Sequence, residues 1–509
     1  MSAHGRGAVN ICPLAELGRG VWESAGDQTV ADILERVVLQ QPLADLEITP
    51  GYVVEWALER SGDQSGSEQL TSYNQRKHYE VAESGPRSDQ SVESWIAVTF
   101  ELPGSLDRAA FAAALRAFAT RHEILRCDFD RAEADADLTC AVIDADDVIT
   151  TPREVGLIED AAALREYIFS FFCARIDTKS WPLIAVGTVE GPRSTTVFVA
   201  CDHLVSDGGS VPIVARDLST AYEAELRGDG VALQEAGSYV DFSEQQRRVY
   251  DTVAADDPRL ARWRTFMSRN GGFFPRFPLD LGIDDDLVMY PTVNRTDELA
   301  GKDAADRLAA YCADRKVRIP AALLAATGVA LRELGGPDSY RTLMPVGERG
   351  RDEFADSMGW FVNTMPIEFS VAAHIDFDDI VVRANDALTE MLASVDVPFV
   401  KAWYALAPEL AELPAWPYAV NFFSYMDFRK AVGGDDPIVS RARMHVWSSS
   451  SNGICNWFHR NGDGLFVNTI RVDTQRAHAT ERALIDRVTK ILAGLIDGAR
   501  PSPEPMLVS

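Results

Sequence analysis

Short apolar runs alternate along most of the chain with longer segments whose apolar residues recur at helical spacing. In Leu106–Arg121 the apolar residues Phe111, Leu115 and Phe118 share one helical face, which predicts an amphipathic helix leading into a strand at Ile124–Phe129. Strands and helices interleave in this way in both halves of the chain. The pattern predicts an α/β protein built from layers of helices and sheets.

Further elements are predicted from the same periods and from residues that begin or end helices. Ser210 is a candidate cap for a helix that runs to about Leu226, with Pro212 in its first turn. Gly335 and Gly336 are suited to end a helix. The other predicted elements are a short amphipathic helix at Ala31–Gln41, the helix Pro320–Leu334, the strand Tyr340–Pro345 and a final helix at Thr480–Ile496.

Candidate chemistry lies where the apolar run Val197–Cys201, typical of a buried strand, stops at Asp202 and His203. An imidazole with an unperturbed pKa of about 6.5 suits proton transfer near neutral pH, and the end of a strand would hold it at the edge of a cavity. The glycines of Asp207-Gly208-Gly209 permit positive φ or the close approach of a ligand. Taken alone, these residues fit either a catalytic histidine or a core histidine followed by an ordinary turn.

Five motifs, one of them in two parts, occur in order at Ser72–Tyr79, Arg121–Phe129, Asp202–Gly208, Tyr239–Phe242, and Pro345–Arg349 with Gly359–Thr364. Together they resemble the motifs of the condensation-domain superfamily. Its members include nonribosomal peptide condensation domains, chloramphenicol acetyltransferase and the polyketide-associated acyltransferases of mycobacterial lipid synthesis. The third motif is His-His-x-x-x-Asp-Gly in that superfamily. Its first histidine is Asp202 here, while the second is present as His203.

Within the superfamily, the chain is more similar to the polyketide-associated acyltransferases than to assembly-line domains. Four segments carry this similarity: Arg262-Trp263, Asn270–Leu279, Gly359-Trp360-Phe361 and Asn421–Asp427. The resemblance implies two chloramphenicol acetyltransferase-like α/β lobes that form a V, with the active-site tunnel between them. The expected divisions are an N-terminal extension at 1–65, an N-terminal lobe at 66–255 and a C-terminal lobe at 256–509.

The resemblance also implies a role for His203 in the middle of that tunnel. His203 would be the general base, taking a proton from the acceptor as it attacks the acyl thioester and passing one to the leaving thiolate. No Gly-x-Ser-x-Gly elbow is present, so no acyl-enzyme is expected. In the family, the aspartate at the position of Asp207 turns away from the histidine and pairs with the arginine found here as Arg349. The alternative is a turn aspartate that bonds its own backbone.

Other side chains and amides are candidates for binding the tetrahedral oxyanion or the thioester arm. The amides of Gly208 and Gly209 and the side chains of Asn363 and Ser424 could donate hydrogen bonds there. Asn363 fits a strand-end structural role equally well, and a structural role is favoured for Ser424. Six other histidines are predicted to pack, to cap or to lie at the surface, without metal partners: His78, His122, His374, His445, His459 and His478.

The composition of the chain limits which binding partners and which cellular compartment are expected. The formal net charge is −28, which argues against binding to nucleic acid and to anionic membranes. Apolar residues form 46% of the chain, but no apolar run approaches the roughly 20 residues of a membrane-spanning helix. Seven scattered cysteines show neither a metal spacing nor a disulfide framework, so a reducing cytoplasm is expected, and no signal peptide or cofactor is predicted.

The sequence therefore predicts a bacterial acyltransferase that acts on a small-molecule, glycolipid or natural-product hydroxyl. The donor would be an acyl-CoA, mildly favoured by the acidic surface, or an acyl carrier protein thioester. One alternative is an enzyme that forms an amide, rather than an ester, from a carrier-bound donor. A second alternative is that the protein is not an enzyme but a docking module that binds partners. A monomer is expected, because two fused lobes would already enclose the tunnel.

Overall fold

The computed structural model of the chain describes residues 38–62, 68–84, 94–133, 136–230, 233–269, 275–284, 288–350, 352–406, 421–430 and 437–497. The strands in these ranges are β1 (Leu39–Gln40), β2 (Gly51–Arg60), β3 (Gln69–Leu70), β4 (Ser94–Pro103), β5 (Cys127–Asp130), β6 (Thr139–Val142), β7 (Val148–Ile158), β8 (Ile184–Glu190), β9 (Ser194–Cys201), β10 (Tyr290–Gly301), β11 (Ser339–Gly347), β12 (Val362–Ser370), β13 (Phe422–Asp427), β14 (Arg443–Ser448), β15 (Ser450–Ser451), β16 (Ile454–Arg460) and β17 (Gly464–Val472). The helices are α1 (Tyr73–Ser84), α2 (Arg108–Arg121), α3 (Ala161–Arg175), α4 (Ser210–Arg227), α5 (Tyr239–Tyr250), α6 (Ala261–Ser268), α7 (Lys302–Asp314), α8 (Ile319–Glu333), α9 (Phe377–Ala393), α10 (Phe399–Leu406), α11 (Pro437–Ser440) and α12 (Gln475–Ile496).

The first lobe is built on a sheet with the strand order β1-β14-β4-β9-β8-β2-β7. Both faces of this sheet are covered, which explains the continuous apolar run Val197–Cys201 within β9. Val197 and Val199 enter the core that contains α2 and α4, whereas Phe198 and Ala200 enter the core beneath α3. Successive side chains of a strand point to opposite faces, so a segment that is buried on both sides can be apolar at every position.

The second lobe is built on a sheet with the order β12-β11-β13-β16-β17-β10-β15. Helices α7, α8, α9 and α12 pack with one another and with this sheet around one large apolar core. A small third sheet has the order β3-β6-β5, and its residues Cys127, Phe129 and Cys140 belong to the core of the first lobe. The described residues thus form the two α/β lobes that the sequence predicts.

Strands cross the expected division of the chain at two places. β14 comes from the C-terminal part of the sequence, yet it pairs with β4 and β1 in the first sheet. β2 lies inside that sheet between β8 and β7. The prediction of a separate extension at 1–65 is therefore wrong for Gly51–Arg60, because buried residues such as Val53 and Val54 make β2 part of the lobe's core.

Most predicted helices are present, with some changes at their ends. α2 begins after Asp107, whose carboxylate accepts hydrogen bonds from the amides of Ala109 and Ala110. The predicted end of α8 is confirmed, since Gly335 has a φ of 101° and the Gly336 amide donates to Leu331 O.

Three predicted elements differ from the structure. The strand at Ile124–Phe129 begins only at Cys127, because a short 3₁₀ turn precedes it. The final helix starts at Gln475, five residues earlier than predicted, since Thr474 caps it. In the predicted helix Ala31–Gln41, residues 31–37 lie outside the described residues and Leu39–Gln40 forms β1.

Candidate active site

The turn that follows β9 lies where the two lobes meet. His203 stands in this turn and keeps part of its surface accessible. A Cβ built on Gly208 would lie 2.9 Å from Sδ of Met426, on β13 of the second sheet, and 3.6 Å from Cε of Met444, on β14 of the first. The segment that carries His203 and Gly208 therefore touches both sheets, as a site between two lobes requires.

Asp207 and Arg349 form the ion pair that the family resemblance implies. Nη1 and Nη2 of Arg349 donate to the two carboxylate oxygens of Asp207, each at 2.7 Å, and the carboxylate is almost fully buried. A bidentate pair of this kind fixes both groups in direction as well as distance. The pair joins the end of β9 to the segment after β11, so it ties the first lobe to the second.

Asp207 also makes the hydrogen bonds to its own turn that were the alternative to the ion pair, so the structure contains both sets of contacts. Its Oδ1 accepts hydrogen bonds from the amide and the hydroxyl of Ser210, both at 2.9 Å. Its Oδ2 accepts a third bond from the Phe361 amide at 3.0 Å. Ser210 is thus the first residue of α4, with Gly209 at the cap position, and the predicted cap role of its side chain is wrong. Asp207 takes that place because its carboxylate reaches the free amide at the helix start.

Asp202, which stands where the family has a histidine, is also fully buried and hydrogen bonded. Its Oδ1 accepts from the Leu204 amide at 2.7 Å and pairs with Nε2 of His78 at 3.1 Å, while its Oδ2 accepts from the Thr178 hydroxyl at 2.6 Å. Burial acts to raise the pKa of Asp202, but His78 and these donors outweigh burial and hold the pKa below its usual value. Asp202, which departs from the family motif, is therefore accommodated by hydrogen bonds, one of them to His78 on α1.

Two rings, those of Trp360 and His78, lie close to the imidazole of His203. The indole of Trp360 stacks on the imidazole of His203, with ring centroids 3.7 Å apart and planes 25° apart. His78 meets Trp360 edge-on at 5.6 Å and lies 6.1 Å from His203. Nδ1 of His203 is buried and has no hydrogen-bond partner among the described residues.

The environment of His203 favours its neutral form. Burial, reinforced by the neighbouring His78, lowers the pKa of His203 to about 4. Asp207, the backbone carbonyl of His203 itself and Asp202 raise the pKa by less. At neutral pH the imidazole therefore has a free lone pair and can accept a proton.

The other predicted contact residues lie on the second lobe or at its border. Gly209 lies against the ion pair, since a Cβ there would stand 2.6 Å from Nη1 of Arg349. Asn363, on β12, accepts hydrogen bonds from the amides of Thr364 and Phe399 through Oδ1, while its Nδ2 is buried without a partner among the described residues. Ser424 is buried and precedes Met426 by two positions in β13, so the two side chains lie on the same face of that strand.

Sequence reasoning did not assign Trp360 or His78 to the site. Trp360 was visible as the variable position of Gly359-Trp360-Phe361, and His78 as a polar residue inside the first motif. The remaining predicted structural histidines include His122, which bonds Oδ2 of Asp217 at 2.7 Å. Within the described ranges, no cluster of His, Cys, Asp and Glu is arranged to hold a metal ion. None of the described helices has both the length and the apolar character needed to cross a membrane.

Alanine at the two adjacent glycines should have different effects. Gly209→Ala brings its Cβ against the guanidinium of Arg349, which must then shift on Asp207. Gly208→Ala meets the thioether end of Met426, a flexible group that moves aside easily. We expect Gly209→Ala to destabilise the protein by about 1–3 kcal/mol, as overpacking usually does, and Gly208→Ala to have a smaller effect. Thermal denaturation of both variants measures this, and an equal or reversed order would contradict the assigned contacts.

Comparison with known proteins agrees with this geometry. The family model described as "Condensation domain" matches residues 69–412. The chain belongs to the condensation domain family. Among solved structures, "PapA2 acyl transferase" superimposes with a TM-score of 0.79 over 90% of this chain and all of that chain, at 22% sequence identity, which shows that the two share a fold.

Two curated relatives of this condensation domain protein are named as acyltransferases. It is 28% identical over 324 residues to the 2'-acyl-2-O-sulfo-trehalose (hydroxy)phthioceranyltransferase PapA1 of Mycobacterium bovis, with 64% of this chain and 61% of the relative covered. It is 24% identical over 337 residues to the trehalose-2-sulfate acyltransferase PapA2 of the same species, with 65% and 70% covered. The match spans about three fifths of the length of the first of these relatives.

Proposed function

We propose that this protein is an acyltransferase that moves an acyl group from a thioester to a hydroxyl of a small-molecule or glycolipid acceptor. The observation that carries the proposal is His203, a partly accessible residue with a neutral imidazole at the junction of the two lobes. Its rigid support, from β9 behind it and from the Asp207–Arg349 pair beside it, keeps it in one place. A fixed, neutral imidazole is the usual general base for such a transfer.

The reaction proceeds in one transfer, without an acyl-enzyme. His203 takes the proton from the acceptor hydroxyl as its oxygen attacks the thioester carbonyl, which forms a C–O bond and a tetrahedral oxyanion. The C–S bond then breaks, and the imidazolium returns the proton to the leaving thiolate. Burial keeps the imidazole uncharged at neutral pH, so one ring nitrogen has the lone pair that acts as the base.

Three groups are candidates for binding the oxyanion. Asn363 has the strongest support, because its buried Nδ2 has a hydrogen to donate and no partner among the described residues. The Gly209 amide stands beside the ion pair, and Ser424 shares a strand face with Met426, which touches the same turn. Each would stabilise negative charge as it develops on the carbonyl oxygen.

The names of the relatives support a glycolipid acceptor. PapA1 and PapA2 are named for transfer to trehalose-based acceptors that carry sulfate. For this chain we infer a carbohydrate-containing lipid or another small polyol as acceptor, and an acyl-CoA or an acyl carrier protein as donor. We further infer a cytoplasmic, monomeric enzyme that needs no cofactor, in which a tunnel between the lobes keeps water from the thioester.

The pKa of His203 gives the proposed reaction a testable pH dependence. Because the folded-state pKa is about 4, the imidazole stays unprotonated well below the usual value of about 6.5. We expect kcat/KM to stay nearly constant from pH 8 down to about 5 and to fall as pH drops through 4. The unfolded chain binds this proton already near pH 6.5, so the His203 contribution to stability is also lost between pH 6.5 and 4. An acid limb centred near pH 6.5 would contradict the lowered pKa.

A direct test measures free thiol released from a series of acyl-CoAs and acyl carrier proteins, with and without a lipid extract as acceptor. Mass spectrometry of the products identifies the acyl chain, the acceptor, and whether the new bond is an ester or an amide. We expect thiol release that depends on the extract and yields an ester. If folded protein releases no thiol from any donor, the acyltransferase proposal fails and the docking alternative becomes the better one.

A further inference from the structure

Trp360 is the aromatic residue in direct contact with the proposed base, and its role goes beyond the assignment of His203. Its indole lies face to face with the imidazole at a centroid distance of 3.7 Å. We propose that Trp360 is a positioning residue that fixes the imidazole plane of His203 and stabilises its cation while it holds the proton of the acceptor. This inference rests on the proposed function of His203 as general base.

Among the residues that the structure describes, no carboxylate performs this task for His203. In many enzymes an aspartate bonded to the second imidazole nitrogen orients the ring and stabilises the imidazolium. Here Nδ1 of His203 has no hydrogen-bond partner among the described residues, and both oxygens of Asp207 are taken by Arg349. Asp202 in turn is bonded to His78. The indole of Trp360, which stacks on the imidazole, is therefore the group that sets the plane of the His203 ring.

The backbone around Trp360 is held firmly enough to set the position of its ring. The carbonyl of Trp360 accepts a hydrogen bond from the Tyr239 hydroxyl at 2.9 Å. On one side, the Gly359 carbonyl accepts from Nη2 of Arg349 at 3.3 Å, and on the other, the Phe361 amide donates to Asp207 at 3.0 Å. Three consecutive residues are thus anchored, two of them by the Asp207–Arg349 pair.

Gly359 shows how closely this segment is packed. Its φ is +147°, and a Cβ there would stand 2.2 Å from the Tyr239 ring. Because Gly359 and Tyr239 lie so close together, the Trp360 carbonyl can accept the hydrogen bond from the Tyr239 hydroxyl. The indole of Trp360 meanwhile contacts the imidazole of His203. The ion pair thereby acts on the reaction indirectly, through the loop that carries Trp360.

The electrostatics of the stack suit a transient cation. An indole has a negative face that attracts a cation lying over it, and tryptophan is the strongest of the aromatic residues in this respect. The titratable groups that face His203 are His78, Asp202 and Asp207. Both aspartates are bonded to other groups and also attract this cation, and the stacked indole adds its own attraction in direct contact with the ring.

Kinetics of three variants test this role. We expect Trp360→Leu to lower kcat by about 10- to 100-fold, since a misplaced catalytic group costs up to about 10²-fold, while KM changes little. Trp360→Phe keeps an aromatic face and should retain most of the rate. Trp447→Leu is the matched control, because Trp447 is also half-buried but stacks on Trp95 in another core. A normal kcat in Trp360→Leu, or equal losses in all three variants, would overturn the proposal.

A spectroscopic test does not depend on turnover. A protonated imidazole in contact with an indole quenches its fluorescence, so Trp360 should report the charge of His203. The emission of wild type minus that of Trp360→Phe, followed at low protein concentration from pH 7 to 3, isolates this one indole among the ten tryptophans. We expect quenching with a midpoint well below pH 6.5 that is absent on the His203→Ala background.

If this fluorescence difference changes with pH in the same way with His203 as with alanine at position 203, the inference about Trp360 is wrong. The two proposals fail separately in these experiments. If wild type releases no thiol from any donor, the proposed function fails, but the fluorescence titration still decides whether Trp360 senses the protonation of His203. If His203→Ala abolishes thiol release while Trp360→Leu keeps the full kcat, the proposed function stands and the inference about Trp360 is wrong.

Discussion

His203→Ala is expected to lower the rate of thioester-dependent acyl transfer by about 10²- to 10⁴-fold, the range typical of a lost general base. The substitution removes the lone pair that accepts the proton of the acceptor hydroxyl. KM for the donor should change little, because the imidazole binds the reacting proton rather than the acyl chain or the thiol arm. Steady-state thiol release with saturating donor and acceptor measures the effect.

Two comparisons separate a catalytic loss from a folding defect. His203→Ala should melt close to the wild-type temperature, since the imidazole has no hydrogen bond to lose at Nδ1 within the described residues. His374→Ala is the matched control, because His374 is exposed before α9, and it should retain full activity. If His203→Ala keeps more than about a tenth of the wild-type rate, another group is the base and the mechanism given above is incorrect.

Asp207→Ala is expected to give the largest loss of stability of the substitutions considered. It removes both hydrogen bonds of the bidentate pair and leaves the charge of Arg349 mostly buried, with its side chain only 14% exposed. Breaking a buried ion pair by removing one partner destabilises proteins by about 3–5 kcal/mol. Activity should fall as well, because the loop that carries Trp360 loses its anchor at Phe361. Thermal and denaturant unfolding, followed beside activity, measure both effects.

A second bidentate pair on the surface provides the matched control. Nε and Nη2 of Arg259 donate to the two oxygens of Asp257, and the Arg259 side chain is 34% exposed. Solvent screens such a pair, so Asp257→Ala should lower the melting temperature much less than Asp207→Ala. A wild-type melting temperature together with lost activity in Asp207→Ala would instead assign Asp207 a direct part in the chemistry.

Local features of the site could be predicted from the sequence because local rules set them. The apolar run Val197–Cys201 and the glycines after His203 specify a strand, a turn and a helix within about 30 residues. The pairing of Asp207 with Arg349 joins distant segments, and it could be predicted only through the family motifs that contain both residues. The structure contains that pair, together with the local turn bonds that had been its alternative.

The rest depended on packing between distant segments, which periodicity does not encode. His78 and Asp202 are 124 positions apart, and nothing in either motif shows that α1 lies against the turn after β9. The same holds for Trp360, whose ring direction follows from the Tyr239 and Arg349 contacts of its neighbours. β2 was misassigned to an extension because it precedes the first motif, although its buried valines belong to the first sheet.

The crossing of β14 into the first sheet affects when the site can form during biosynthesis. His203 belongs to the N-terminal half, but the sheet behind it is completed only when residues 443–448 pair with β4 and β1. A ribosome has by then made most of the chain, so the first lobe cannot finish folding as an independent N-terminal unit in the manner usual for multidomain proteins. Chains that terminate early leave the edge of β4 open, and an open strand edge invites aggregation. Only a polypeptide that extends through β14 can therefore carry an assembled His203 site.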